Sequence, residues 1–87
     1  MLACDPRTGE TRRFLSGPVN CEITGAAWTP DGRTMFVNIQ HPGETPSERT
    51  DAAAPSRFSN WPDFRQGGRP RSATVVVRKL DGGVIGT

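Results

Sequence analysis

The sequence has few apolar residues and no long apolar run, and these absences exclude several classes of protein. Hydrophobic residues make up only 33% of its 87 positions, which is low for a domain with a self-sufficient core. A chain of this length buries only about 60–65% of its unfolded surface and is marginally stable alone. Both observations favour part of a larger domain over a complete one. No apolar run approaches the roughly 20 residues of a membrane-spanning helix, so no membrane contact is predicted.

Strong charge of one sign is also missing. The 11 basic and 9 acidic residues give a net charge of +2, and the basic residues are scattered. Arg12-Arg13 is too short to form the dense cluster that binds a phosphate backbone, so no nucleic-acid partner is predicted. The two cysteines, Cys4 and Cys21, have no metal-binding spacing. They allow one disulfide without requiring it, so their redox state stays open.

The clearest structural pattern is a β-hairpin around Pro30-Asp31-Gly32. Residues 23–28 and 34–40 read as strands, and Pro-Asp-Gly is a sequence typical of a tight turn. In the second strand, apolar and more polar side chains alternate, which places them on opposite faces. Met35, Val37 and Ile39 share one face, and Phe36, Asn38 and Gln40 share the other. The hairpin therefore carries polar side chains to the end of a sheet.

The rest of the chain predicts further strands around one long loop. Residues 1–4 read as the end of a strand, residues 10–15 as a second strand, and residues 73–80 as a β-branched strand. A turn at 81–83 leads to a last short strand over 84–86. Residues 41–72 have five prolines and no periodicity, which indicates a long irregular loop. We expect Trp61-Pro62-Asp63 to pin this loop to the sheet.

The predicted fold class is all-β. We expect an antiparallel four- to five-stranded sheet resembling the last blade of a β-propeller, with a long irregular insertion. Residues 1–16 would form the edge of a preceding blade. Residues 22–40 and 73–86 would supply the blade strands, and 41–72 the loop.

Four segments carry a resemblance to a known family. They are RFLSGP at 13–18, CEITG at 21–25, PDGRTMFVNIQHPG at 30–43 and RPRSATVVV at 69–77. Together they resemble the C-terminal portion of PhoX-type alkaline phosphatases, over roughly residues 5–86. The resemblance implies that the chain is a fragment of a larger enzyme and that the rest of the propeller chain, upstream, is its partner.

The resemblance further implies a secreted or periplasmic enzyme, exported folded by the twin-arginine route. In this family an iron and calcium cluster at the propeller axis, held by acidic side chains and a cysteine, hydrolyses phosphate monoesters. Most of its metal ligands would lie upstream of this chain. The isolated chain is therefore expected to be inactive, and to bind Ca²⁺ weakly or not at all.

Glu22 is the candidate metal ligand. It precedes the innermost predicted strand, and a hard carboxylate suits Ca²⁺. The resemblance implies that the glutamate of the Cys-Glu-x-Thr-Gly motif contributes to the cluster. The alternative is a solvated or turn-capping glutamate. Cys21, on the opposite side of the strand, is expected to be a buried structural residue and not the metal-binding cysteine of the family.

Five further residues are candidates for lining the central channel of the propeller or for contacting phosphate: Asn38, Gln40, His41, Arg69 and Arg71. Arginine suits bidentate contact with phosphate. The alternatives are that the two amides fix the loop, that His41 has a structural hydrogen bond, and that the arginines are solvated or paired with a loop acid such as Asp63. No complete catalytic motif is present.

Two rival functions stay open beside the phosphatase. In the first, the chain is a free-standing small β module that associates, as an edge-to-edge dimer, through its sheet edges. In the second, the aromatic loop around Trp61 binds a sugar or a peptide.

Overall fold

The computed structural model describes residues 1–45, 47 and 53–87, which form an all-β fold with five strands. The strands are β1 (Leu2–Cys4), β2 (Thr11–Arg13), β3 (Glu22–Trp28), β4 (Thr34–Gln40) and β5 (Ala73–Arg78). They form two antiparallel sheets, a two-stranded β1-β2 sheet and a three-stranded β3-β4-β5 sheet. The predicted all-β class is confirmed, with the five strands divided between two sheets.

The turn between β3 and β4 is closed by its own polar side chains. The Asp31 carboxylate accepts hydrogen bonds from the Thr29 hydroxyl at 2.6 Å and from the Arg33 backbone N–H at 3.1 Å. The Thr29 hydroxyl in turn accepts the Thr34 N–H at 3.1 Å. Gly32 adopts a positive φ of 68°, which glycine does without steric cost. This is the Pro-Asp-Gly turn that the sequence predicted.

A β-bulge at Gly25 sets the register of the central hairpin. Thr24 pairs with Asn38 and Ala26 pairs with Val37, so one extra residue is inserted in β3 between them. Gly25 has a φ of 52°, in the left-handed region that favours glycine. The bulge adds one residue to β3. As a result, the β3 side chains before and after Gly25 lie on the same face of the sheet as the β4 residues with which they pair.

The two faces of the three-stranded sheet differ in burial. Met35, Val37 and Ile39 of β4 are 0–3% exposed and form the core. Leu2 and Phe14, from the first sheet and the segment after it, line a groove together with Trp28 and Met35 on this side of the larger sheet. The opposite face is open.

That open face carries Phe36, 39% exposed, and Val76, 53% exposed. The alternation predicted for residues 34–40 is therefore confirmed.

The predicted last strand over residues 84–86 was wrong. β5 ends at Arg78, and residues 84–86 lie outside the five strands. The Ile85 N–H donates a hydrogen bond to the Gly32 carbonyl at 3.0 Å, which holds this segment against the β3-β4 turn without a ladder. The described residues between β4 and β5 contain turns and no strand, as expected for the loop. No helix in the described part of the chain is long and apolar enough to span a membrane.

Candidate functional site

Glu22 and His41 meet at one end of the three-stranded sheet. Glu22 is the first residue of β3 and pairs with Gln40, the last residue of β4, so the next residue, His41, lies beside it. His41 Nε2 is 3.5 Å from Glu22 Oε2. The Glu22 side chain is 64% exposed. The strand register thus places an exposed carboxylate beside an imidazole.

The backbone at His41 is held in an uncommon conformation. His41 has a φ of 35°, and its N–H donates a hydrogen bond to Ser72 Oγ at 3.0 Å, just before β5. Its Nδ1 atom is buried and lacks a hydrogen-bond partner. Glu44 Oε2 is the nearest acid to that nitrogen, at 4.0 Å, which is beyond hydrogen-bond reach. His41 therefore lies between two glutamates and bonds closely to neither.

A cleft of about 330 Å³ opens beside this pair, lined by Asn20, Cys21, Glu22, His41 and Glu44, among others. Glu22 approaches Nε2 of the imidazole ring and Glu44 approaches Nδ1, so the two carboxylates lie near different nitrogens. Within residues 1–45, 47 and 53–87, no three His, Cys, Asp or Glu side chains form a group that could hold a metal ion. Glu22 therefore fits as one oxygen ligand of a larger set, and these residues do not complete that set.

Asn38 and Gln40 are each paired with a hydroxyl on the open face of the sheet. The Thr74 hydroxyl of β5 donates to Asn38 Oδ1 at 2.7 Å, and the Thr24 hydroxyl of β3 donates to Gln40 Oε1 at 3.5 Å. Asn38 and Thr74 are direct partners in the β4-β5 ladder, and Thr24 and Gln40 are diagonal neighbours in the β3-β4 ladder. Together with Ser72 they line a second cleft, of about 380 Å³.

Arg71 is bound to the long loop. Its Nε and a terminal guanidinium nitrogen each donate to the Asp63 carboxylate at 2.9 Å, and its backbone N–H donates to the Trp61 carbonyl at 3.2 Å. The hydrogen bonds from Arg71 lower the pKa of Asp63, and the carboxylate raises the pKa of Arg71. This is the loop ion pair that the sequence offered as the alternative to phosphate contact. Arg69 is exposed and has no ion pair with any described residue.

The two cysteines are free and lie in different environments. Cys4 is exposed at the end of β1. Cys21 is partly buried, with its Sγ against Gly17, and burial raises the pKa of its thiol. Cys21 is thus a partly buried thiol next to Glu22 in sequence, and its structural role stays a prediction.

Four polar residues near the candidate site were not predicted: Thr24, Glu44, Ser72 and Thr74. Thr24 and Thr74 meet the two amides only through the strand register, which the sequence does not state. Ser72 contacts His41 across 31 positions of sequence. The contact of Glu44 with His41 had a local signal in the sequence, since Glu44 lies three residues after His41 in a turn.

A family model described as Alkaline phosphatase PhoX matches residues 1–43. Among solved structures, the chain is similar to Pseudomonas fluorescens PhoX in complex with vanadate, a transition state analogue. The TM-score is 0.81 with 42% sequence identity, over 98% of this chain and 13% of that chain.

A search of curated proteins found no match. The family match and the structural match confirm the predicted resemblance to the PhoX family of alkaline phosphatases. The chain spans 13% of the length of the PhoX chain that it matches.

Proposed function

We propose that this chain is a segment of a metal-dependent PhoX-like alkaline phosphatase that hydrolyses phosphate monoesters. The observation that carries the proposal is the structural similarity to PhoX over nearly the whole chain, at an identity well above the level at which only the fold is shared. The rest of a β-propeller, upstream of this chain, is its partner. By the same resemblance, the enzyme is periplasmic or secreted.

Glu22 is the residue that would hold a metal ion. Its carboxylate is exposed and lies at a strand end, both of which suit a hard cation such as Ca²⁺. The iron and calcium ions implied by the resemblance would orient the phosphate, offset its charge and supply an activated oxygen nucleophile. His41 would lie beside this carboxylate as an outer group, since its Nε2 is 3.5 Å from Glu22 Oε2.

The remaining candidate residues differ in the contacts that they make within this chain. Arg69 has no ion pair with a described residue and is the better of the two arginines for a phosphate contact. Arg71 holds the loop through Asp63. Asn38 and Gln40 would line the channel beside Glu22.

The isolated chain is expected to be inactive. One exposed carboxylate cannot hold a multi-metal cluster, and the described residues contain no group of three metal ligands. Phosphoryl chemistry depends on positioned charge, which this segment alone does not supply.

A chimera tests the proposal. The segment of Pseudomonas fluorescens PhoX that matches this chain would be replaced by residues 1–87, and hydrolysis of p-nitrophenyl phosphate measured. We expect an active chimera, an inactive isolated chain, and a loss of at least about tenfold in kcat/KM for Glu22→Gln. Glu10→Gln, at an exposed ion pair distant in sequence, is the control. A soluble, folded chimera without activity would contradict the proposal.

The rival function, an edge-associating β module, has one observation in its favour. The outer edges of β3 and β5 have no strand partner within the described part of the chain. Unpaired edges are sites of strand addition. Size-exclusion chromatography of the isolated chain separates the two functions, since a stable dimer would support edge pairing and a monomer would not.

A further inference from the structure

A row of apolar side chains crosses the open face of the three-stranded sheet. Ala27 pairs with Phe36 and Phe36 pairs with Val76, so the row has one member from each of β3, β4 and β5. Directly paired residues lie on the same face of a sheet and contact one another. All three are exposed in this chain, Phe36 at 39% and Val76 at 53%. The face therefore carries a continuous apolar ridge.

A row of uncharged polar side chains lies beside this ridge, toward the Glu22 end of the sheet. Thr24 pairs with Asn38 and Asn38 pairs with Thr74. The Thr74 hydroxyl donates to Asn38 Oδ1 at 2.7 Å, so two of these polar groups already satisfy each other. Polar groups that are paired within their own sheet can be covered at little cost.

Charged side chains on this face lie at its two ends. Glu22 begins β3 at one end, and Arg78 ends β5 at the other, where its Nε donates to Thr34 Oγ1 at 3.2 Å. The two rows between them carry no charge. The solvated face of an antiparallel sheet is ordinarily polar, whereas an apolar centre with an aromatic residue, depleted of charge and bordered by polar groups, is typical of an interface.

The similarity to PhoX points to what covers this face. The match takes in 98% of this chain and 13% of the PhoX chain, so most of such a chain lies outside the matched segment. The other face of the same sheet is already covered within this chain, since Met35, Val37 and Ile39 are 0–3% exposed. The ridge at Phe36 is thus the part of the sheet that the larger protein would cover.

We infer that the open face is a sheet-on-sheet interface, and that its occupant is another sheet of the same propeller protein, from the part outside residues 1–87. The occupant has apolar side chains that interdigitate with Phe36 and Val76. It also has oxygen acceptors opposite Asn38, whose amide nitrogen donates to no other described residue. The row of Thr24, Asn38 and Thr74 is the rim of this interface on the Glu22 side. The inference rests on the proposed function for the identity of the larger protein, and not on its activity.

Val76→Ala in the chimera with PhoX is the first test. If another sheet covers Val76, the substitution leaves a cavity, and the chimera should unfold about five- to tenfold faster in urea, as followed by tryptophan fluorescence. Val84→Ala is the matched control, because Val84 is 41% exposed and lies outside the five strands. It should change the unfolding rate by less than about twofold.

Hydroxyl-radical footprinting of the folded chimera is a second measurement, and it needs no substitution. The oxidation of Phe36, relative to that in the urea-unfolded chimera, should fall to the level of Ile39, which is 3% exposed in this chain. Phe64 is the comparison of the same residue type, since it is 68% exposed and lies in the loop between β4 and β5.

Four results overturn the inference. The first is a Val76→Ala chimera that unfolds at the rate of the parent chimera. The second is oxidation of Phe36 in the folded chimera as readily as that of Phe64. The third is protection of Phe36 in a dimer of the 87-residue chain but not in the chimera, which would make a second copy the occupant. The fourth is a chimera that does not fold although the 87-residue chain does.

These results are separable from the test of the proposed function. A chimera that hydrolyses p-nitrophenyl phosphate while Phe36 stays open to oxidation would overturn the interface and leave the proposed function intact. A folded chimera in which Phe36 is protected but no hydrolysis occurs would do the reverse.

Discussion

Gly25 and Asn38 are in contact across the β3-β4 ladder. A Cβ atom placed on Gly25 would lie 2.8 Å from Asn38 Nδ2, closer than real Cβ contacts come. The bulge at Gly25 thus makes room for the amide that Thr74 orients from the other side. The bulge in β3 and the position of the Asn38 amide on the open face therefore both depend on Gly25.

Gly25→Ala should destabilise the protein through both strain and this clash. A non-glycine residue at a positive φ costs about 1 kcal/mol, and forced contacts add at least about 1 kcal/mol more. Gly82→Ala is the matched control, because its φ is 71° and nothing lies within 4 Å of its Cβ position. Thermal unfolding of both variants measures the difference. Equal losses would show that Asn38 does not restrict position 25.

Val37→Ala should cost about 2 kcal/mol of unfolding free energy. Val37 is fully buried in the centre of β4, between Ala26 of β3 and Val75 of β5, so the lost methyl groups leave a cavity. Val76→Ala, on the open face and 53% exposed, should change the free energy by less than about 0.5 kcal/mol. Urea unfolding of the pair tests which face is covered. A larger loss at Val76 than at Val37 would contradict the assignment of the core.

Much of the central hairpin could be predicted from the sequence, because its signals are local. The alternation over residues 34–40 and the Pro30-Asp31-Gly32 turn fix β4 and its connection, and the predicted bounds of β4 match the structure. The contact of Arg71 with Asp63, eight positions earlier in the chain, is the alternative that the sequence analysis gave for this arginine. Each of these features depends on neighbours within a few positions.

Other features depend on register and long-range contact, which one sequence does not reveal. Strands were predicted over residues 1–4 and 10–15, at the edge of a preceding blade, but β1 and β2 have three exposed residues each, so no apolar periodicity fixes their bounds. The segment at 84–86 has β-branched residues typical of a strand, yet only the Ile85 hydrogen bond to Gly32 joins it to the hairpin. The meeting of Glu22 with His41 follows from the pairing of Glu22 with Gln40. The role of Glu22 as a ligand stays a prediction.

The Asp63–Arg71 pair should make the loop sensitive to acid. The pKa of Asp63 is lower in the folded chain than in the unfolded one, chiefly because of the hydrogen bonds from Arg71. The pair thus adds stability above the unfolded pKa, about 3.9, and that stability is lost as the pH falls through the lower folded pKa. Trp61 lies beside the pair, so its fluorescence reports the change.

Asp63→Asn should remove this acid transition, and Arg71→Lys should weaken it because lysine cannot form the two-armed contact. Asp81→Asn, at another exposed ion pair, is the control. A transition below pH 4 that is identical in Asp63→Asn and the parent chain would show that other carboxylates are responsible.

Cys4 should react with iodoacetamide faster than Cys21 in the folded chain. Cys4 is exposed, whereas Cys21 is partly buried and its thiol pKa is raised by that burial, so less of the reactive thiolate is present near neutral pH. We expect a difference of at least about tenfold in rate, measured by mass spectrometry of peptides after timed quenching. In urea the two rates should converge, because burial is removed. Faster labelling of Cys21 in the folded chain would mean that the segment between Gly17 and Glu22 opens readily, and the candidate metal-binding end of the sheet with it.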